Sequence, residues 1–214
     1  MTITWLGHSC FLLESGGFRV LLDPFHEVPG LPDTKAEADA VYCSHDHFDH
    51  AYTDQVTITG GKTNPFTVRE TASFHDPEGG ALRGTNTIRG FTAEGLTVVH
   101  LGDLGHPLSA GQLQSIGPCD ALLIPVGGTF TVDAGEAKQI ADAIGARVVI
   151  PMHYRLGEVG FPVTATADDF LALYPRDRIR RYAGNTLELT ADTPEQVAVL
   201  SLPEGAARWY DHRR

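Results

Sequence analysis

Between Ser44 and His50 the chain reads Ser-His-Asp-His-Phe-Asp-His, and no other stretch restricts the possible folds as much. Four potential metal ligands, His45, His47, Asp49 and His50, fall within six residues directly after the strand-like run Asp39–Ser44. Imidazole nitrogen and carboxylate oxygen suit zinc and other borderline or hard divalent ions, and a tight loop can aim them from a rigid strand end. The competing reading is a solvated polar loop, for which three histidines and two aspartates packed so closely would be unusual. Any fold for this chain has to set that loop on the end of a strand.

The flanking sequence supplies such strands. Cys10–Leu13 and Phe18–Leu22 are apolar runs separated by Gly16-Gly17, a hairpin signal. Thr67–Phe74, Thr87–Thr92 and Leu96–Leu101 read as further strands, the last two joined at Glu94-Gly95. After about residue 108 the period changes. Ser109 with Gln112, and Asp133 with Glu136, have the spacing of a capping box, so helices should start there. Ala137, Ile140, Ala141 and Ile144 then recur at helical spacing, and Gly145 stands where a left-handed C-cap is wanted. Asp120–Ile124 before that helix and Arg147–Ile150 after it complete a βαβ reading. Thr166 with Asp169 predicts one more helix through Leu173, and Thr186–Leu189 and Gln196–Leu200 predict closing strands.

Length and charge narrow the function classes. A chain of 214 residues buries roughly 70% of its unfolded surface, enough for one compact domain over residues 1–214 without disulfides. With 27 acidic residues against 16 Lys and Arg, the formal charge is −11, which opposes binding to nucleic acid. The longest apolar run, Phe170–Tyr174, is far below the roughly 20 residues of a membrane span. Met1-Thr-Ile-Thr-Trp5 lacks the basic and apolar segments of a secretory leader, and Cys10, Cys43 and Cys119 form no CxxC pair. Buried reduced thiols in a cytoplasmic protein are the expectation.

The arrangement His45-x-His47-x-Asp49-His50 resembles the metal-binding motif of the metallo-β-lactamase superfamily, and that family's remaining positions occur in order downstream. Asp23 in Leu-Leu-Asp-Pro matches its early structural aspartate, His75 in Ser-Phe-His its next histidine, Asp103 in Gly-Asp-Leu-Gly its bridging aspartate, and His153 in Pro-Met-His-Tyr its last ligand. Trp5-Leu-Gly-His-Ser9, Gly102–Pro107 and Pro125–Gly128 further resemble a short bacterial branch similar to L-ascorbate 6-phosphate lactonase, itself distantly similar to N-acylphosphatidylethanolamine phospholipase D enzymes. The resemblance implies an α/β fold, an αββα sandwich with two divalent ions at the edge between its sheets. It implies that His45, His47 and His75 hold one ion, that Asp49, His50 and His153 hold the other, and that Asp103 bridges them. A metal-bridging hydroxide would be the nucleophile, with Asp49 orienting it and shuttling its proton. Zinc or manganese is the expected metal.

The same resemblance frames the remaining candidates. His8 is either a supporting or acid group near the metals or a satisfied core histidine. His106, three residues past Asp103, is either a proton donor or substrate contact, or a helix-entry residue beside Pro107. His100 rivals His75 as third ligand but lies inside an apolar run, and His26 and His212 are expected at the surface. Gly127-Gly128-Thr129-Phe130 either shapes the substrate pocket, with Thr129 and Phe130 as contacts, or is a plain βα connection. Tyr154 and Arg155, directly after the last ligand, are candidates to meet an anionic substrate.

These readings predict a metal-dependent hydrolase acting on a small lactone, ester or phosphoester. The alternative is a non-enzymatic, metal-bearing metabolite-binding or regulatory module, which has no need of two open metal positions. Flavodiiron chemistry is disfavoured because that cluster replaces a histidine with a carboxylate. The β-CASP nucleases and ribonuclease Z need RNA-binding elements for which this short acidic chain has neither room nor charge.

Overall fold

The computed structural model describes residues 1–206, so His212 lies outside the described residues. Strands β1 (Thr2–Gly7), β2 (Cys10–Ser15), β3 (Phe18–Leu22), β4 (Ala36–Ala38), β5 (Ala40–Tyr42) and β6 (Val56–Ile58) come first. Then follow β7 (Thr67–Phe74), β8 (Thr85–Ala93) and β9 (Leu96–His100), helix α1 (Ala110–Ile116), β10 (Ala121–Pro125), helix α2 (Ala134–Ile144) and β11 (Val148–Met152). A single helical turn, α3 (Asp168–Leu171), precedes β12 (Ile179–Arg181), β13 (Thr186–Glu188) and β14 (Gln196–Val199). One sheet has the order β13-β1-β2-β3-β5, a second β12-β14-β11-β10-β9-β8-β7, and β4 pairs with β6 alone.

Local chemistry explains why these elements form. The β2–β3 hairpin closes Ser15 on Phe18 through Gly16 and Gly17, whose φ values of 56° and 76° suit the primed turn that a two-residue loop requires. Both predicted capping boxes are present: Ser109 accepts from the Gln112 amide and Asp133 from the Glu136 amide, while each partner side chain accepts from the cap's own N–H. Gly145 ends α2 in the left-handed region. Strands β10 and β11 run parallel with α2 as their crossover, and every residue in both is buried, as a parallel sheet covered on both faces demands.

The interior lies between the two large sheets. Ile3, Phe11, Leu13 and Val20 from the first pack in one cluster with Phe91, Val98, Leu123 and Val149 from the second. Helices flank the second sheet, α1 against β7 and β8 and α2 against β10. The outer side of the first sheet carries a smaller cluster in which Phe25, Val28, Leu31 and Val159, all from loops, cover Cys10 and Leu21. Two packed sheets with helices against the second give the α/β sandwich that the resemblance implies. Among the described residues no helix is long and apolar enough to cross a membrane.

Two expectations need correction. The segment from Thr166 makes one turn of helix rather than a helix to Leu173. Thr166 caps the Asp168 amide instead of pairing with Asp169, and Leu173 and Tyr174 already bond three residues back before Pro175 stops the chain. The cysteines carry no disulfide, but only Cys10 is buried, with Cys43 and Cys119 half-buried.

Pairing directions place the chemistry. Strand β1 is antiparallel to β2 and β2 to β3, while β3 is parallel to β5, so β1, β3 and β5 point the same way. In the other sheet β7 is antiparallel to β8 and β8 to β9, while β9, β10 and β11 are parallel, so β7, β9, β10 and β11 share a direction too. The seven segments that leave these carboxyl ends start at His8, Asp23, Cys43, His75, Leu101, Val126 and His153.

Candidate metal centre

Those segments converge. The ligand atoms of His45, His47 and His75 lie within 4.8 Å of one another, as do those of His8, Asp49, His50 and His153, and those of His45, His50 and Asp103. Asp103 sits between the groups: its Oδ2 is 3.2 Å from the Nε2 atoms of His50, His75 and His153 alike. Nε2 of His45, Nε2 of His50 and Oδ1 of Asp103 are buried without any hydrogen-bond partner. Buried polar atoms are almost always satisfied, so orphans that converge on a carboxylate are what a cation site looks like in protein atoms alone.

The far sides of the rings are fixed. His50 Nδ1 is 2.8 Å from Asp23 Oδ2, His45 Nδ1 is 2.9 Å from Ser44 Oγ, and His75 Nδ1 is 3.1 Å from the Phe130 carbonyl oxygen. Holding Nδ1 sets the tautomer that leaves Nε2 free toward the site. Asp23 also accepts from the Ser44 amide at 2.7 Å and the Ser44 hydroxyl at 2.6 Å, so one buried carboxylate orients both His50 and the start of the loop. Asn86 does the same opposite, donating to the Leu101 carbonyl and accepting from the Asp103 amide.

Backbone conformation adds to this. His8, Asp23 and His153 have φ of 51°, 44° and 52°, a region side chains other than glycine rarely occupy and which clusters at functional sites. Gly127 has no such φ, but a Cβ on it would overlap the carbonyl oxygen of His153. Gly127→Ala is therefore expected to displace the His153 main chain and lower stability by about 1–3 kcal/mol in urea unfolding. Wild-type stability in that variant would show the carbonyl is not clamped.

Burial governs the electrostatics. It lowers the His8 pKa to about 4, aided by the charge of His153 and opposed by the Asp49 hydrogen bond, and lowers His45 to about 3, aided by His50. Both are neutral near pH 7, with lone pairs available. Burial alone would raise Asp103, but the imidazoles of His153 and His50 outweigh it and hold the carboxyl well below the usual range. Burial would likewise lower His50, yet Asp103 and Asp23 raise it well above an ordinary histidine.

A cavity of about 230 Å³ opens onto this cluster, lined by His47, Phe48, Asp49, His75, Arg83, Asp103, Phe130, His153 and Phe161. Of the residues expected to contact substrate, Phe130 lines it and the others do not. The positive φ of His153 turns the chain so that Tyr154 enters the core and stacks on Trp5 at 5.7 Å. Arg155 is taken up by the carbonyls of Gly157 and Thr164, and the Thr129 hydroxyl by that of Val163. His106 is also off the cavity, with Nε2 accepting from the Phe74 amide and Nδ1 on the Pro107 carbonyl. His8 is within the cluster, its Nε2 3.2 Å from Asp49 Oδ2. His100 bonds Ser9 and Gly102 as a satisfied core histidine, and His26 is a partly exposed partner of Asp33. Phe48, Arg83 and Phe161 were not anticipated. Phe48 had a signal, as the one apolar residue inside the histidine motif, whereas Arg83 and Phe161 arrive from separate loops.

Comparison with known proteins agrees with this geometry. Residues 2–153 match the family described as the β-lactamase superfamily domain. A UPF0173 metal-dependent hydrolase of Carboxydothermus hydrogenoformans is 32% identical over 72% of this chain and 84% of its own, and one from Methanosphaerula palustris is 33% identical over 72% and 84%. A crystal structure from Thermotoga maritima, of a protein assigned to the metallo-β-lactamase superfamily, superposes with a TM-score of 0.74 at 36% identity, covering 94% of this chain and 98% of that one. A metallo hydrolase from Ignicoccus hospitalis shares the fold at 22% identity, with a TM-score of 0.55 over 79% and 88% of the two chains. The chain belongs to the metallo-β-lactamase superfamily, in the family of the UPF0173 metal-dependent hydrolases.

Proposed function

We propose that the chain is a hydrolase that works with two divalent ions, zinc or manganese, on a small lactone, ester or phosphoester. The observation that carries this reading is the position of Asp103 Oδ2, equally close to a histidine of the first group and two of the second. His45, His47 and His75 would hold one ion, Asp49, His50 and His153 the other, with Asp103 between them. When bound, such a pair supplies Lewis acidity to the scissile oxygen and lowers the pKa of water from about 15.7 toward 7.

The chain's own residues then have distinct tasks. A carboxylate can only accept, so the close Nε2 of His8 is the protonated nitrogen and donates to Asp49. His8 is thereby spent as a donor and positions Asp49 rather than ligating. Burial would raise the Asp49 carboxyl, but the His8 hydrogen bond and the charge of His50 keep it ionised. Asp49 can thus take a proton from water as the new bond forms at carbon or phosphorus, and pass it to the leaving oxygen as the old bond breaks. Phe48, Phe130 and Phe161 exclude bulk water on the open side. The lactone option follows the resemblance to the ascorbate 6-phosphate lactonase branch.

A panel of lactones, phosphodiesters and thioesters incubated with metal-replete protein tests the proposal. Turnover of at least one class, abolished by chelation and restored by the ion, is expected. A metabolite that binds without turnover in any class would favour the binding-module reading.

A further inference from the structure

The walls of the cavity differ from its floor. Over the histidines and aspartates stand three phenylalanine rings, with Phe161 edge-on to both Phe48 at 6.4 Å and Phe130 at 6.1 Å. Phe48 is 54% exposed although it lies inside the metal loop, and the neighbouring loops expose Leu82 and Val163 as well. A phenylalanine exposed at the wall of a cavity over a polar centre has no role in the core, and apolar walls with a few convergent polar groups mark a ligand pocket. At about 230 Å³ the cavity is smaller than the roughly 300–1,000 Å³ of ordinary ligand pockets, so the group it encloses is small.

Arg83 is the one lysine or arginine among the lining residues. It stands on a built support. The buried Asp76 carboxylate accepts four backbone N–H groups, from Glu78, Gly80, Leu82 and Arg83, at 2.7–3.1 Å, and these fix the loop between β7 and β8. Arg83 Nε donates to the His75 carbonyl oxygen at 3.0 Å. Among the described residues its Nη atoms have no hydrogen bond and the guanidinium no carboxylate partner. A guanidinium anchored through Nε, with its Nη fork free at a cavity wall, matches the geometry of a carboxylate or phosphate.

We propose that this cavity selects a substrate in which a small apolar group, seated against Phe48, Phe130 and Phe161, is joined to an anionic carboxylate or phosphate held by Arg83. The inference rests on the hydrolase reading for the word substrate, but the recognition itself is a binding property. Arg83 takes the role that sequence adjacency had suggested for Arg155.

Non-cleavable probes separate the two questions. Metal-replete protein is titrated calorimetrically with 3-phenylpropionate, 2-phenylethylphosphonate, propionate and 3-phenylpropan-1-ol, and metal content is measured on every variant. Either phenyl anion is expected to bind at least about tenfold more tightly than propionate or the alcohol, and whichever binds better identifies the anionic group. Arg83→Gln should weaken the phenyl anions about tenfold with metal content unchanged and the alcohol unaffected, and Arg83→Lys should recover part of the loss. Phe161→Ala should weaken both phenyl classes but not propionate. Equal binding of propionate and 3-phenylpropionate would overturn the apolar half. Unchanged anion binding in Arg83→Gln, or loss of metal from it, would overturn the anionic half, since the carboxylate would then be held by the ions or Arg83 would act only through His75. Selective binding without turnover of any ester would leave this inference standing and defeat the hydrolase reading instead.

Discussion

Asp103→Ala is expected to purify with almost no bound metal and to lose at least about 10³-fold in turnover, equivalent to some 4 kcal/mol of transition-state stabilisation. The reason is geometric. One carboxylate oxygen is 3.2 Å from three imidazole nitrogens drawn from both ligand groups, so its removal opens a position at each. The variant should still fold, because the Asp103 carboxylate faces only the histidines of the centre and its amide, which donates to Asn86 Oδ1, is retained. Circular dichroism and elemental analysis on the same sample check both halves. A folded Asp103→Ala protein with full metal content and activity would mean that the reacting centre lies elsewhere.

Asp23→Ala should do as much damage by a different route. Its carboxylate is 1% exposed and joins the Ser44 amide, the Ser44 hydroxyl and His50 Nδ1. Truncation leaves the Ser44 amide and His50 Nδ1 buried and unpartnered and takes the acceptor from the Ser44 hydroxyl, which keeps only His45 Nδ1, and breaking a buried charged network typically costs about 3–5 kcal/mol. For a domain of this size that is a fall in Tm of roughly 6–20 °C. Asp23→Asn separates folding from metal binding. Its carbonyl can still accept from Ser44, but its amide group offers His50 a donor and reverses the tautomer. Near-native stability with about 10–100-fold weaker metal affinity is expected, measured by differential scanning calorimetry and a chelator competition. Unaltered affinity in Asp23→Asn would show that His50 does not depend on this bond.

The contrast between the two aspartates shows what could be read from sequence. The hairpin at Gly16-Gly17, both capping boxes and the α2 C-cap were legible because each is a local bargain between a few neighbouring residues and the backbone. The histidine cluster was legible because its residues are adjacent in the chain and follow a strand. Strands β4, β6 and β12 are three residues long, too short for a period to register, and exist through tertiary pairing, β4 with β6 and β12 with β14. The cavity wall was the least legible part. Phe48, Arg83 and Phe161 come from three loops that follow β5, β7 and β11 and meet only in the folded chain, and Tyr154 was misplaced because a positive φ at His153 reverses the direction that adjacency implies.

Metal stoichiometry of the purified, metal-replete protein tests the central claim most directly. Two equivalents of zinc or manganese per chain, falling to nearly none in Asp103→Ala, is the predicted result. One equivalent or less in the wild-type protein after exhaustive loading would contradict the two-ion centre.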